Sequence, residues 1–155
     1  PPRAIQVDNG NIHLDNGDVV VNGVNNYLVG TLAPKAVVWP GTSGRWLDVN
    51  ETVVFVNNGT TKINIVLPDP RNLRPGHTVV FIPWQSSGEY GIVTSSAATG
   101  KIVYKGSYYN WILGKGASGG RTVTVYVTFV TKDSNNRYLW VASTMDQDGI
   151  NYGND

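Results

Sequence analysis

The side chains that could perform acid–base or nucleophilic chemistry are few in this sequence and lie far apart. Only two histidines occur, His13 and His77, and both lie in strand-like segments. Because a histidine on a strand is far more often a surface or core residue than a base, we expect neither to be catalytic. No Ser-His-Asp set follows from the spacing, and the Gly-x-Ser-x-Gly motif is absent. We therefore expect a chain that is not an enzyme.

Two stretches have residue types that suit a phosphate or a cation. Gly114–Gly120 (GKGASGG) contains Gly-x-Gly, but it lacks the Lys-Ser/Thr pair of a P-loop and lies between strand-like segments rather than before a helix. Asp146–Asn151 (DQDGIN) resembles part of a calcium loop without the EF-hand spacing or its final glutamate. A glycosidase-like carboxylate pair is open in principle, yet nothing selects one, and the only glutamates are Glu51 and Glu89. We expect a hairpin loop, a solvated tail, no metal and no cofactor.

The aromatic side chains are the better candidates for function. Five tryptophans and eight tyrosines outnumber three phenylalanines, and their flat apolar faces with a polar group suit sugar stacking or protein contacts. Binding residues usually lie on loops held by a rigid scaffold. The alternative for each aromatic is a place in the core or in a subunit interface, which we favour for Trp140. The predicted ligand-binding residues lie beside Ser- or Gly-rich loops: Trp84, Tyr90, Tyr108, Tyr109 and Trp111.

The composition predicts an all-β fold. The 155 residues suffice for one domain with a sizeable core, and they include 18 glycines, 8 prolines and only 15% charged residues. Abundant β-branched residues and turn formers favour strands, and no window shows the period of an amphipathic helix. About ten short strands separated by turn residues predict an antiparallel β-sandwich or a jelly-roll-like head.

Charge and cysteine content exclude several classes of protein. Twelve basic and eleven acidic side chains give a net charge of +1, without the basic patch of a nucleic-acid binder. No cysteine is present, so neither disulfides nor thiolate-bound metal contribute. No apolar run approaches the roughly 20 residues that span a bilayer, so we expect no membrane insertion. The start at Pro1, without methionine, suggests a fragment of a longer chain.

The clearest predicted hairpin is centred on Asn58-Gly59, the dipeptide that suits a two-residue type I′ turn. Its strands lie on either side, between Glu51 and Pro68. The polar stretch from Thr144 to Asp155 is expected to be poorly tied down. The other predicted strands are Tyr27–Leu32, Ala36–Trp39, His77–Trp84, Tyr90–Thr94, Lys101–Lys105, Ser107–Leu113, Arg121–Lys132 and Arg137–Ser143.

A short repeat opens the chain. Asp8-Asn9-Gly10 returns seven residues later as Asp15-Asn16-Gly17, and again in shortened form as Asn22-Gly23. The short apolar pieces between these turns cannot bury their faces alone within one chain. The repeat is either the neck of an oligomer or a pair of hairpins at the edge of a monomeric sandwich.

Two stretches resemble tail-fibre and other receptor-binding or fibre-head proteins of bacteriophages and viruses. In KINIVLPDPRNLRPGHTVVFI, a strand ending in Leu-Pro leads to a loop closed by Pro-Gly and then to a new strand. In TVTVYVTFVTKDSNNRYLWVAS, a long alternating strand turns at Asp- and Asn-rich residues into a second strand. The resemblance covers about Glu51 to Ser143. The Ile-Asp-Gly step that this family often has between the halves is replaced by IVYKGSYYNWIL.

The resemblance implies a homotrimer in which three chains wind round one axis. It implies a neck over residues 1–26, a head over 27–143 and a polar tail over 144–155. The function it implies is non-catalytic attachment to a host-surface glycan or receptor protein, at the virion surface in a fibre or tail. Two alternatives stay open: a capsid or tail decoration protein that binds other virion proteins, and a carbohydrate-binding module of a secreted enzyme.

Overall fold

The computed structural model describes residues 5–24, 35–39, 44–84, 88–115, 124–144 and 150–154. The chain divides into two units, Pro1–Leu32 and Ala33–Asp155, which are treated separately below. The described residues contain strands, one 3-10 turn at Pro70–Asn72 and no α-helix, so the all-β prediction is confirmed. The predicted strand Tyr27–Leu32 lies outside the described residues, as do most of the glycine-rich loop 114–120 and residues 145–149 of the calcium-like stretch.

The strands of the second unit form two mixed sheets within the described residues. The seven-stranded sheet has the order β1-β3-β5-β10-β11-β7-β8, and the five-stranded sheet has the order β12-β9-β6-β4-β2. The strands are β1 Lys35–Trp39, β2 Arg45–Trp46, β3 Glu51–Val56, β4 Ile63–Val66, β5 Thr78–Pro83, β6 Glu89–Val93, β7 Gly100–Tyr104, β8 Ser107–Tyr109, β9 Trp111–Lys115, β10 Val125–Lys132, β11 Tyr138–Thr144 and β12 Ile150–Gly153.

The first six strands alternate between the two sheets. As a result β1, β3 and β5 run parallel in one sheet, and β2, β4 and β6 run parallel in the other. Antiparallel strands follow, with β9 beside β6 and β10 beside β5. The prediction of antiparallel sheets is therefore wrong, because an apolar–polar alternation fits parallel and antiparallel neighbours equally well. The jelly-roll connectivity stays a prediction.

The hairpin predicted at Asn58-Gly59 does not form, because β3 and β4 belong to different sheets. Gly59 has a φ of +56°, but Asn58 is not among the residues with positive φ, whereas a type I′ turn needs both. Asn58 is instead buried, and its side-chain amide donates to the carbonyl oxygens of Thr61 at 2.5 Å and Glu89 at 3.0 Å. The segment is thus a hydrogen-bonded crossing between sheets.

A two-residue hairpin does form at Lys105-Gly106, between β7 and β8. Both residues have positive φ, +51° and +80°, as a type I′ turn requires. Tyr104 and Ser107 are paired across the turn. The sequence predicted Lys105 as the last residue of a strand, whereas Lys105 is the first residue of the turn after β7.

One core is formed by buried side chains from both sheets. Along β10, Val125, Val127 and Phe129 are buried while Tyr126 is exposed, so the predicted alternation is confirmed for the described part of this strand. Trp140 on β11 is the largest fully buried side chain, as expected. The other large members of the core include Val54, Val56, Ile65, Phe81, Tyr90, Ile92, Ile102 and Ile112.

The C-terminal stretch, expected to be poorly tied down, contributes strand β12 to the edge of the five-stranded sheet. It pairs antiparallel with β9, and Gly153 lies opposite Trp111. Asn110 adds two hydrogen bonds: its backbone N–H donates to the Gly153 carbonyl at 2.9 Å, and its side chain donates to that of Asn154 at 2.6 Å.

In the first unit, residues 5–24 contain bends at 8–10, 15–17 and 23, and no paired strand occurs within this range. Gly10, Gly17 and Gly23 have φ values of +107°, +109° and +96°, a region that favours glycine. Each repeat therefore bends at the same place. The two hairpins considered as an alternative are not found in these residues.

Candidate functional site

The predicted binding residue Tyr90 lies in the core and not at a surface. Its side chain has no exposed area, and its ring is stacked on Phe81 with centroids 6.3 Å apart. Burial raises the pKa of the Tyr90 hydroxyl. A ring without exposed surface cannot stack on a sugar, so Tyr90 is a core residue.

Three further predicted binding residues lie in or directly after strands of the seven-stranded sheet, and the structure does not bring them together: Trp84, Tyr108 and Tyr109. Trp84 is 58% exposed after the end of β5, and its backbone N–H donates to the Val56 carbonyl at 2.9 Å. Tyr108 is 38% exposed on the edge strand β8, under the guanidinium of Arg137, which lies 4.6 Å from the ring centroid. Tyr109 packs against the core. Since three strands separate β5 from β8, these sites lie about 19 Å apart across the sheet.

Trp111, the last predicted residue, belongs to the other sheet. It lines a groove of about 310 Å³ together with Lys62 and Asn64. The Asn64 side-chain oxygen lies only 2.3 Å from where a Cβ of Gly91 would be, so the amide covers this glycine. The ammonium of Lys62 lies 4.0 Å from the carboxylate of Glu89.

A larger cleft, of about 570 Å³, opens where the parallel strands of the five-stranded sheet end. Parallel strands place their C-terminal ends at one edge, so the segments that follow them converge. Trp46 ends β2, the segment with Asp69 and Arg71 follows β4, and Thr94 directly follows β6. The seven-stranded sheet completes the lining with the first residues of β7 and β11 and the last residue of β10.

Trp46 forms the exposed wall of the cleft. Its side chain is 62% exposed, although both neighbours are fixed. Leu47 is buried, and its N–H donates to the Val66 carbonyl at 2.9 Å. Arg45 forms an ion pair with the buried carboxylate of Glu51. Because side chains alternate along a strand, anchoring Leu47 in the core directs Trp46 outward.

The sequence analysis missed Trp46, although a signal was present. Leu47 follows immediately, and an apolar residue next to a tryptophan on a strand predicts that one of the two is exposed. With only two residues, β2 is too short to give a recognisable alternation.

Asp69 and Arg71 form a second wall. Asp69 caps the 3-10 turn by accepting the Arg71 backbone N–H at 3.0 Å, and it also accepts the Arg71 Nε–H at 2.8 Å. The Arg71 side-chain hydrogen bond lowers the pKa of Asp69, and the same bond raises the pKa of Arg71. Both groups therefore stay charged, and Asp69 is engaged by its own neighbour.

Small polar residues that follow β6 line the cleft between these walls. The Thr94 hydroxyl donates to the Ser96 carbonyl at 3.1 Å, and the Gly100 N–H donates to the same oxygen at 2.7 Å. A Cβ on Gly100 would lie 2.5 Å from the Cβ of Thr94, which no real contact allows. Glycine at position 100 thus lets β7 start directly against the segment that carries Thr94, Ser95 and Ser96.

The turn between β10 and β11 forms the remaining wall with Lys132, Asn136 and Tyr138. Asp133 organises this turn by accepting the N–H of Arg137 at 2.9 Å and its Nε–H at 2.8 Å. Asn136 adopts a φ of +60°, which asparagine tolerates better than most residues. Burial raises the pKa of Asp133, but the hydrogen bonds from Arg137 and Asn135 outweigh it and hold that pKa below its usual value.

Lys132 supplies the excess charge of the cleft. Its ammonium lies 5.1 Å from the centroid of the Tyr138 ring, and in the described part of the chain no carboxylate lies within ion-pair distance of it. Arg71 balances Asp69, so the charged side chains in the lining sum to one positive charge. An aromatic wall, small hydroxyls and one excess cation suit reversible binding of a polar ligand.

Behind the cleft, Trp140 and His77 each carry a buried nitrogen that has no hydrogen-bond partner among the described residues, Nε1 and Nε2 respectively. Trp140 lines the cleft, whereas His77 lines a separate groove with Leu73 and Arg74. Burial lowers the pKa of His77.

Neither a protein-family model nor a curated protein matches the chain. Over the residues that the structure describes, no helix is long and apolar enough to cross a membrane. The same residues contain no group of three or more side chains placed to hold a metal ion.

Proposed function

We propose that this chain is a non-catalytic, fibre-type attachment domain of a virion. In this proposal residues 1–26 form the neck of a homotrimer, and residues 27–143 form a β-sandwich head that binds a host-surface glycan. We expect the protein at the virion surface, in a fibre or tail. The observation that carries the proposal is the apolar side of the N-terminal repeat, which a single chain leaves open to water.

Each repeat carries two aliphatic residues separated by one other residue, which is Gln6, His13 or Val20. In the extended conformation that we propose for the neck, side chains alternate, so the two residues of a pair would lie on the same side. Their exposed fractions range from 44% to 80% in the single chain. Full burial of such a side chain contributes about 1.5–3 kcal/mol. Burial of several of them along the repeat would offset the entropic cost of association. The pairs are Ile5 and Val7, Ile12 and Leu14, and Val19 and Val21.

The residues between the aliphatic pairs are polar in the first two repeats, whereas the third repeat has the exposed Val20 at this position. The Gln6 side chain donates to the Asp8 carboxylate at 2.6 Å, and His13 contacts the Asp15 carboxylate at 2.7 Å. These pairs occupy the same positions of successive repeats. Three chains around one axis would bury the apolar side and leave the polar side in water, and such a cyclic arrangement is closed.

Both stretches that resemble fibre-head proteins contribute to the cleft. The first supplies Asp69 and Arg71, and the second supplies Lys132, Asn136 and Tyr138. In this proposal the two mixed sheets are the layers of the head, and the segments at their ends present the binding residues. Trp46 stacks on a sugar ring while hydroxyl and amide groups of the cleft bind its hydroxyls.

The proposal is tested by placing one charge on either side of the repeat. Leu14→Asp puts a carboxylate among the aliphatic residues, and Asn11→Asp puts the same charge on an exposed position outside the aliphatic pairs. Sedimentation equilibrium should give a trimer for the unaltered chain and for N11D, and a monomer for L14D. A monomeric unaltered chain would contradict the neck and favour a carbohydrate-binding module. A trimer that binds no glycan would favour a decoration protein.

A further inference from the structure

We infer that the cleft beside Trp46 binds a sugar that carries a carboxylate, such as a uronic or sialic acid residue at the end of a host glycan. This inference rests on the proposed attachment function and names the ligand class of the same site. The proposed function requires only that the ligand be a glycan, whereas this inference also requires that the sugar carry a negative charge.

The aromatic wall accounts for the sugar. Trp46 keeps most of its side chain exposed at the rim of a cleft of about 570 Å³, within the size range of small-ligand sites. The indole is apolar and flat, as the C–H face of a pyranose requires. Its strand is held on one side by Leu47 in the core and on the other by the Arg45–Glu51 ion pair, so the ring is presented from a fixed backbone.

The polar lining accounts for ring hydroxyls. Thr94, Ser95, Ser96 and Asn136 offer hydroxyl and amide groups that both donate and accept hydrogen bonds. The Thr94 hydroxyl donates to the Ser96 carbonyl, which leaves its lone pairs available to accept a sugar hydroxyl. Such small groups bind several hydroxyl orientations without filling the cleft.

The excess positive charge of the cleft is the reason why we expect the sugar to carry a carboxylate. Asp69 is bound by Arg71, and the described residues place no carboxylate within ion-pair distance of Lys132. A neutral sugar would leave the ammonium with its aromatic neighbour alone, whereas a carboxylate would receive a charge-assisted hydrogen bond, which is roughly twice as strong as a neutral one. The remaining guanidinium N–H groups of Arg71 can donate to the same ligand.

The groove beside Trp111 provides the contrast within the same protein. It also combines a tryptophan, an amide and a lysine, but Lys62 has the carboxylate of Glu89 4.0 Å away, and Asn64 covers Gly91. Its positive charge is thus already balanced. A carboxylate-bearing sugar should therefore distinguish the two tryptophan sites.

Isothermal titration with matched pairs of sugars tests the inference on the full chain. Glucuronic acid and glucose form the strictly matched pair, because they differ only in the group at C6. Sialyllactose is compared with lactose, which lacks the whole sialic acid residue. We expect at least one acidic sugar to bind ten-fold or more tightly than its neutral partner, and we expect this preference to weaken at 0.5 M NaCl because exposed charges are screened. Equal affinities, or no binding of either acidic sugar, would overturn the inference.

Two pairs of variants locate the effect. Trp46→Ala should weaken binding of the acidic sugar ten-fold or more, and Trp111→Ala should not. Lys132→Gln should remove the preference for the acidic sugar, and Lys62→Gln should keep it. A loss in W111A, or an unchanged preference in K132Q, would overturn the site. Thermal melting verifies that each variant is folded.

The neck is tested separately, by the mass of the protein in solution. A trimer that does not prefer the acidic sugar refutes only this inference, whereas a monomer that prefers the acidic sugar refutes the neck.

Discussion

The imidazole of His77 stands edge-on to the indole of Trp140, with ring centroids 6.4 Å apart and ring planes at 80°. Each ring carries a buried nitrogen without a hydrogen-bond partner among the described residues. An indole N–H can only donate, and a neutral imidazole has one nitrogen that accepts. Direct approach of the two rings, or one bridging water, would satisfy both nitrogens. Since Trp140 lines the cleft, this ring contact connects His77 with the wall of the proposed binding site.

We predict that the head loses stability as the pH falls below about 6.5. Burial holds the pKa of His77 below that of the unfolded chain, so protons bind more tightly to the unfolded state and favour it. The stabilisation from neutral His77 is fully present above the pKa of histidine in the unfolded chain. It is lost as the pH falls from that value through the lower pKa of His77 in the folded state. Urea unfolding at pH 7.5 and pH 5.0 measures the change, in a window where the aspartates stay ionised.

Two variants assign this pH dependence. His77→Gln should reduce the loss of stability between pH 7.5 and pH 5.0, because glutamine does not titrate. His13→Gln changes an exposed histidine of the first unit and should leave the dependence of the head unchanged. An H77Q protein with the full dependence would show that another group is responsible.

We predict that the Trp140 N–H contributes little to stability while the ring contributes much. Trp140→Phe keeps an aromatic ring and removes the buried donor, so we expect a cost below about 2 kcal/mol. Trp140→Ala removes the largest fully buried side chain and should cost about 3–5 kcal/mol. Chemical denaturation measures both. Equal losses for the two variants would contradict the prediction, because a phenyl ring would then preserve none of the packing that the indole provides.

We predict that Gly100→Ala destabilises the head and weakens ligand binding together. The new methyl group would meet the Thr94 side chain and the Ser96 carbonyl, so the segment lining the cleft must shift, at a cost of about 1–3 kcal/mol. A second substitution, Thr94→Gly, removes the closest atoms. In a double-mutant cycle the two changes together should therefore cost less than their sum. Additive losses would place the strain elsewhere.

We predict that the Lys105-Gly106 hairpin can be improved. Lys105 has a φ of +51°, which costs most side chains about 1–2 kcal/mol, whereas asparagine tolerates it. Lys105→Asn creates the dipeptide preferred in type I′ turns and should raise stability by up to about 1 kcal/mol. Lys105→Val, with a β-branched side chain, should lower it. A stabilising valine would contradict the assignment of this turn.

The sequence predicted the fold class because composition and alternation depend on local preferences. Val125, Val127 and Phe129 point inward as their alternation indicates, and Trp140 fills the core. Pairing was not predictable in the same way. Asn58-Gly59 carries the strongest local hairpin signal, yet its flanking strands join different sheets, because parallel neighbours distant in sequence compete for the same edges.

The sequence singles out aromatic residues beside loops, and whether any of them binds a ligand stays a prediction. Of these residues Tyr90 is buried, and the exposed tryptophan that lines the cleft is Trp46, which the spacing did not indicate. The cleft is assembled from segments that follow parallel strands and from a turn of the other sheet, as Arg71, Thr94 and Lys132 illustrate. Their proximity depends on the pairing of strands that are distant in sequence, and this pairing cannot be predicted from the spacing of the residues along the chain.

The central claim, a trimeric attachment domain, is tested most directly by the solution mass of the unaltered chain, measured by light scattering during size-exclusion chromatography. We predict a mass of three times 16.8 kDa that persists on dilution through the micromolar range. A mass of 16.8 kDa at these concentrations would contradict it, because the aliphatic side of the repeat would then remain in water without a partner.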